Sequence, residues 1–380
     1  MDFKLSQEHL MARDLFRSFA QNEVKPLARE VDEEERFPAE TVEKMGKLGF
    51  MGIPIPKEYG GQGCDYLTYA LCVEELAKVC GTTAVILSGH TSLCQMPILH
   101  FGTEAQKQKY LVPLATGEHL GAFGLTEPGA GTDASGQHTK AVLDGNEYVL
   151  NGSKVFITNG YYADTYIIFA MTNKDLRSKG ISAFIVEKGT PGFTFGTKEK
   201  KMGIRGSATY ELIFTDCRIP KENLLGKEGQ GYAIALDTLN GGRVGIVAQA
   251  LGLAAGALEV STAYVKTRKQ FGKTLDRFQN TQFTLADMAT RTEAARLLVY
   301  KAAWEHDADP KNDGTASSMA KLYAAETASW VTNRAVQLHG GYGYIREFDV
   351  ERMMRDAKIT EIYEGTSEVQ RMVISHNLLK

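Results

Sequence analysis

No block of five or more basic residues occurs in these 380 residues, and the formal net charge is −3. The chain therefore lacks the electrostatic footprint of a nucleic-acid binder or of a protein held on an anionic membrane. The five cysteines, Cys64, Cys72, Cys80, Cys94 and Cys217, include no CxxC pair. They fall in helical or strand patterns and are expected to stay reduced. The eight histidines form no HExxH or other ligand spacing, so no metal site is expected. There is no GxxxxGK[ST] phosphate loop and no GxSxG elbow, and Gly226-x-x-Gly229-x-Gly231 has the wrong spacing for a dinucleotide fingerprint. Met1-Asp2-Phe3-Lys4-Leu5-Ser6 carries charge where a signal peptide would place its apolar core. The nearest approach to a membrane span, 244–260, is interrupted by Gln249 and Glu259 and reads as a buried bundle helix. A cytoplasmic protein without a membrane or nucleic-acid partner is expected.

What is present is a change of period along the chain. Ser6 can cap a first helix carrying Phe16, Phe19, Ala20, Leu27 and Val31 at helical spacing, closed by the acidic run 32–35. Helical patterning returns over 66–79, from 82 to about 100, and over 103–114. After Gly121 the pattern alternates. The segment 140–158 contains Asp144-Gly145 and Asn151-Gly152, both hairpin signals, and further strands are expected at 165–171, 181–186 and 210–215. From Gly231 helices resume, with candidates at 282–305 and 317–338 joined by the polar turn 307–314. Gly245, Gly252 and Gly256 share one helix face, where a second helix can approach closely. At 380 residues two or three subdomains are natural. The reading is α+β: an N-terminal helical domain (1–120), a middle β-barrel or sandwich domain (121–228) and a C-terminal four-helix bundle (229–380).

Five stretches could carry chemistry. The loop Phe123-Gly124-Leu125-Thr126-Glu127-Pro128-Gly129-Ala130-Gly131-Thr132-Asp133 leaves many main-chain donors for a planar ring or a phosphate, or simply joins two domains. Val155-Phe156-Ile157-Thr158 sets an aromatic wall and a hydroxyl two positions apart at a strand end, or is an ordinary turn. Arg268 to Phe271, with Gln279, is a phosphate site or a helix end with the usual cations. Gln337-Leu338-His339-Gly340-Gly341 is bare backbone for a nucleotide or a glycine helix stop. Last comes Ile362-Tyr363-Glu364-Gly365-Thr366-Ser367. Ser367 and Gln370 read as a capping box, which puts Glu364-Gly365 on the turn before a final helix. Ile362 and Tyr363 imply a partly dry carboxylate, although a plain surface turn fits too.

Taken together and in this order, the motifs resemble those of the acyl-CoA dehydrogenase family over essentially the whole chain, with wording most similar to its bacterial short-chain, butyryl-CoA-oxidising members. That family has the same helical, β, helical architecture. The resemblance implies FAD as cofactor, with Phe123, Leu125, Thr126, Gly131, Thr132, Phe156, Ile157 and Thr158 around the flavin. Phe156 stands where many members carry tryptophan. Arg268, Phe271, Gln279, Gln337, Leu338, His339, Gly340 and Gly341 match positions that hold the FAD of a neighbouring subunit, which implies a homo-oligomer, at least a dimer and by analogy a tetramer. Thr366 and Ser367 would also touch FAD. Asn240 and Arg243 match the substrate-binding stretch, with Thr132, Tyr363 and Gly365 also at the acyl-CoA. Some members place the catalytic glutamate just before that arginine; here the position is Gly242, which leaves Glu364.

The implied reaction is α,β-dehydrogenation of an acyl-CoA, with Glu364 taking the α-proton and flavin N5 receiving the β-hydride, followed by transfer of electrons to an electron-transferring flavoprotein. Holding a glutamate near pH ~7 rather than ~4.3 takes roughly 3.7 kcal/mol of differential interaction, for which desolvation is the natural source. Competing expectations are a same-fold acyl-CoA oxidase, a dehydrogenase of a branched short acyl-CoA and, remotely, a flavin-free helical scaffold.

Overall fold

The computed structural model describes residues 4–309 and 314–380. Ser6 caps the first helix as expected, its hydroxyl accepting from the His9 backbone N–H. The helix continues from Gln7–Phe19 into Lys25–Glu33 through a π-helical turn, Ala20–Val24. Such a turn inserts one residue into the repeat and rotates everything after it. Val24, Ala28 and Val31 consequently face the core while Leu27 does not. The same device recurs in Gly89–Gln95, between Gly81–Ser88 and Met96–Phe101, and again in Lys107–Leu111.

The segment around Gly89 is unusual for a core helix because it buries Ser88, His90, Thr91, Ser92 and Gln95. Buried polar groups need partners, and most of these have them. His90 receives the Gly121 N–H on Nδ1 at 3.0 Å, and its Nε2 lies 3.1 Å from the Leu114 carbonyl. Burial pushes its pKa down to about 4, so the ring is neutral and fixes the entry to the β region.

That region is one eight-stranded mixed sheet. Its strands are β1 (Gly121–Gly124), β2 (Lys140–Asp144), β3 (Glu147–Thr158), β4 (Thr165–Met171), β5 (Ile181–Glu187), β6 (Phe193–Lys198), β7 (Thr209–Pro220) and β8 (Leu224–Leu225). The order is β6-β7-β3-β2-β4-β5-β8, with β1 parallel to β4. Rings from non-adjacent strands meet, Tyr148 with Phe184 at 4.9 Å and Tyr166 with Phe193 at 4.8 Å, so the sheet curls around its own apolar cluster. β1, β6 and β8 were not expected. The Asp144-Gly145 hairpin forms, with Gly145 at φ 65°. Asn151-Gly152 is not a turn. It is a bulge inside β3, where Asn151 exchanges hydrogen bonds with Asp216 and a Cβ on Gly152 would stand 2.6 Å from the Thr139 hydroxyl.

Three long helices follow, Gly231–Thr267, Gln279–Ala308 and Thr315–His339, then Val350–Lys358 and Ser367–Leu378. The first is long and apolar enough to cross a membrane, yet 83% of its apolar window is buried within the protein. Its glycine face does what the spacing predicts. A Cβ on Gly252 would lie 2.3 Å from the Glu74 carbonyl and one on Gly256 2.2 Å from that of Lys78, so the Tyr66–Ala77 helix packs at backbone contact. N-terminal and C-terminal helices thereby share one apolar core. Of the expected polar turn at 307–314, residues 310–313 lie outside those described. The cysteines are all free thiols, but Cys64 lies on an exposed irregular segment rather than in a helix or strand.

Candidate active site

The turn before the last helix is built differently from the sequence expectation. Thr366, not Ser367, is the cap; its hydroxyl accepts the Val369 N–H at 3.3 Å. Ser367 is the first helical residue, buried, with an unpartnered hydroxyl. Gln370 closes no capping box. Its amide donates instead to the Gly365 carbonyl at 2.9 Å. Moving the cap back one residue leaves Glu364 and Gly365 to make the reversal, and both take positive φ, 53° and 94°. For glutamate this is a costly conformation, of the kind that persists only where the surroundings impose it.

Those surroundings are identifiable. The Tyr363 hydroxyl donates to Gln249 Oε1, and Gln249 Nε2 donates to the Gly81 carbonyl at 3.0 Å. The Gly365 carbonyl receives the Lys321 ammonium at 2.8 Å as well as Gln370. Ile362, expected to dry the site, points outward and is 49% exposed. The enclosure comes from Leu93 and the Gly231–Thr267 helix. A Cβ on Gly242 would stand 2.8 Å from Glu364 Oε2 and 2.7 Å from Leu93 Cδ2, so a side chain there would push the carboxylate or the Leu93 tip out of place. Glu364 as a residue is half-buried, but its Oε2 is shut away from solvent and has no hydrogen-bond partner. Burial raises its pKa to about 7, against the opposing pull of Lys321 and Arg243.

Arg243 lies one residue beyond Gly242. It is buried, donates to Asn240 Oδ1 at 2.7 Å and to Ser318 Oγ at 3.3 Å, and keeps Nε buried and unpartnered. The expected Asn240, Arg243, Tyr363, Glu364, Gly365, Thr366 and Ser367 thus converge on one place. Lys321, Gln249 and Gln370 join them and were missed.

The loop after β1 is a second constellation. Leu125 is buried, Phe123 and Thr126 are half-buried, and Gly131 and Thr132 are exposed. Its frame is a buried ion pair not anticipated from the sequence. Lys154 Nζ lies 2.7 Å from Glu127 Oε1 and also donates to the Leu125 carbonyl and to Gln137. Glu127 in turn accepts the His138 and Thr139 N–H groups. A lysine in a strand whose other buried positions are Tyr148, Leu150, Val155 and Ile157 was the available signal, since a buried ammonium requires a partner. Phe156 and Thr158 flank buried Ile157 as alternation requires, but Phe156 reaches its place through φ 61° at a bulge and is 64% exposed.

A third group lies apart. Arg268, Gln337, Leu338, His339, Gly340 and Gly341 line an open cleft of about 550 Å³ that none of the groups around Glu364 enters. The Arg268 guanidinium sits 5.0 Å over the Tyr342 ring. His339 stacks on Tyr264 at 4.1 Å with Nδ1 at the Ala335 carbonyl, and burial lowers its pKa. Phe271 and Gln279 do not line this cleft. Phe271 caps a protruding hairpin, Lys269–Gln270 with Lys273–Thr274, and is 94% exposed.

Family models for the N-terminal, middle and C-terminal domains of acyl-CoA dehydrogenase match residues 6–118, 122–217 and 229–379. The chain belongs to the acyl-CoA dehydrogenase family. A short-chain specific acyl-CoA dehydrogenase of Clostridium acetobutylicum is 60% identical over 380 residues, covering all of both chains. The solved butyryl-CoA dehydrogenase of Megasphaera elsdenii superposes with a TM-score of 0.98 at 52% identity over the full length of both. A chain from a structure of the electron transferring flavoprotein of Acidaminococcus fermentans does so at 0.98 and 55%, again over both full lengths. The family uses a flavin, and the residues present fit one. A Cβ added at Gly129, Gly131, Gly272, Gly340 or Gly341 would meet nothing within 4 Å, so the main chain there is bare toward open space, while Phe156 and Phe271 offer uncovered aromatic faces.

Proposed function

We propose that the protein oxidises a short-chain acyl-CoA, butyryl-CoA foremost, to the trans-2-enoyl-CoA, with Glu364 as the base that removes the α-proton. The observation carrying this is the buried, unpartnered Oε2 of Glu364, held in a left-handed turn against Gly242 with a pKa of about 7. A base of that pKa is ionised for a useful fraction of the time at neutral pH, yet binds a proton well when it takes one. Arg243 and Asn240 on the neighbouring helix are assigned to the CoA part of the substrate, and Tyr363 and Gly365 flank its acyl end. The flavin is read as FAD, held by Phe123, Leu125, Thr126, Gly131, Thr132, Phe156, Ile157, Thr158, Thr366 and Ser367. When bound, it supplies the hydride acceptor.

The Arg268, Phe271, Gln279 and 337–341 group is assigned to the flavin of a second copy. The separation of this cleft from Glu364, and the uncovered ring of Phe271, support a homo-oligomer in which each site is completed by a neighbour. An electron-transferring flavoprotein is the proposed acceptor of the electrons. The decisive test is Glu364→Gln in the flavin-loaded enzyme. It should keep its flavin and bind butyryl-CoA but lose flavin bleaching by orders of magnitude, and bleaching at a near-normal rate would remove Glu364 as the base. A C4 to C12 substrate series should peak at C4 to C6; a peak at C8 or longer refutes the short-chain assignment.

A further inference from the structure

Among the described residues, three lysines have fully or almost fully buried side chains. Lys154 lies beside Glu127, and Lys78 lies beside Glu75 at 3.0 Å. Lys321, on the Thr315–His339 helix, is equally enclosed but has no such partner; among the described residues no carboxylate forms an ion pair with it. An ammonium without a counter-charge is a costly thing to bury, so its position calls for a role. Its contact is the Gly365 carbonyl at 2.8 Å, the atom that also accepts from Gln370. The charged groups in its field are few. Glu361 and Glu368 face it from either side of the turn, the first already paired with Lys358 and the second exposed. Arg243 acts on it from the long helix, and Glu364 from the turn itself.

We infer that Lys321 is a positioning residue for Glu364, clamping the Gly365 carbonyl to fix the left-handed pair and setting its positive charge beside the carboxylate to favour the ionised form. This rests on the reading of Glu364 as the base. The two functions are separable. The clamp needs a donor of the right length, whereas the field needs the charge. Burial of Glu364 alone would hold its proton past neutrality; the lysine works against that, together with Arg243.

The test is the pH profile of flavin bleaching by butyryl-CoA in flavin-loaded Lys321→Met and Lys321→Gln, beside wild type and Glu364→Gln. An infrared titration of the Glu364 carboxylate, taken as wild type minus Glu364→Gln and repeated in each Lys321 background, needs no turnover. Both lysine variants should move the acid limb upward by about one unit, which is roughly a tenfold loss of rate at pH 6. The rate should recover at pH 9, more fully for glutamine, which can still donate to the Gly365 carbonyl. The infrared midpoint should move with it. If Lys321→Met does not retain flavin, the glutamine variant and its infrared midpoint decide. A midpoint and acid limb unmoved in the glutamine variant, or a rate lowered equally at every pH, would overturn the inference while leaving Glu364 as the base. Near-normal bleaching by Glu364→Gln would instead remove the reading beneath it.

Discussion

Glu364→Gln should make the protein more stable, and by an amount that depends on pH. A carboxyl whose pKa rises from 4.5 to about 7 on folding is more easily protonated in the native state than in the unfolded chain. Its ionisation therefore opposes folding progressively as pH climbs from the unfolded value through the folded one, and fully above about 7. Glutamine has the shape of the protonated acid and carries no such cost. With a shift of about 2.5 units, the variant should gain about 1 kcal/mol at pH 5 and about 3 kcal/mol at pH 8. For a chain of this length, about 3 kcal/mol corresponds to a rise in melting temperature of roughly 4 °C. Differential scanning calorimetry of both flavin-loaded proteins at pH 5, 6.5 and 8 measures the difference directly. The positive charge of Lys321 and Arg243 is already included in the net shift, so it does not rescue the wild type. An equal gain at all three pH values, or a loss at pH 8, would show that Glu364 is ionised without penalty. The argument from its enclosure would then fail.

Other perturbations probe the frame. Gly242→Ala puts a methyl 2.8 Å from Glu364 Oε2 and 2.7 Å from Leu93 Cδ2, so bleaching by butyryl-CoA should fall at least about tenfold (roughly 1.4 kcal/mol) with flavin retained; a rate within about twofold of wild type would mean the carboxylate has room to move. Lys154→Met leaves Glu127 buried without its cation and should cost about 3–5 kcal/mol, read as a lower unfolding midpoint and loss of flavin on dilution. Restoring neutrality with Glu127→Gln in the same chain should recover part of that loss. Gly341→Val fills bare backbone in the cleft lined by Arg268 and His339, and should weaken flavin retention while leaving far-UV circular dichroism unchanged.

Much of the architecture was legible because it follows from local rules. The strands at 165–171 and 181–186 are short apolar runs between turn residues, and their structural bounds differ from expectation by one residue at most. The glycine face of the long helix was legible for the same reason, since a spacing of seven and four fixes a face before any partner is known. The π-helical turns were not. One inserted residue moves Leu27 off the core and Val24 and Ala28 onto it, and nothing in the composition of 20–24 marks the insertion, because the stabilising contacts come from elsewhere in the fold.

At the site, the distinction falls between residues that act and residues that hold them. Glu364 and Arg243 could be named from motifs, but the turn carrying Glu364 is held by Gln249, Lys321 and Gln370, from helices that begin 133 residues before that turn and end after it. Gln249 and Lys321 have no local pattern that requires them, and the pattern at Gln370 pointed to a capping box that it does not form. Gly242 shows the limit most clearly. In the sequence it means only that no rival glutamate is present; in the fold it is the wall against which the carboxylate rests. The absent side chain and the unpartnered oxygen are one feature, since the space that glycine leaves open is the space Glu364 occupies. A side chain at 242 and the carboxylate at 364 therefore compete for the same space, which is why Gly242→Ala is expected to slow the base rather than abolish it.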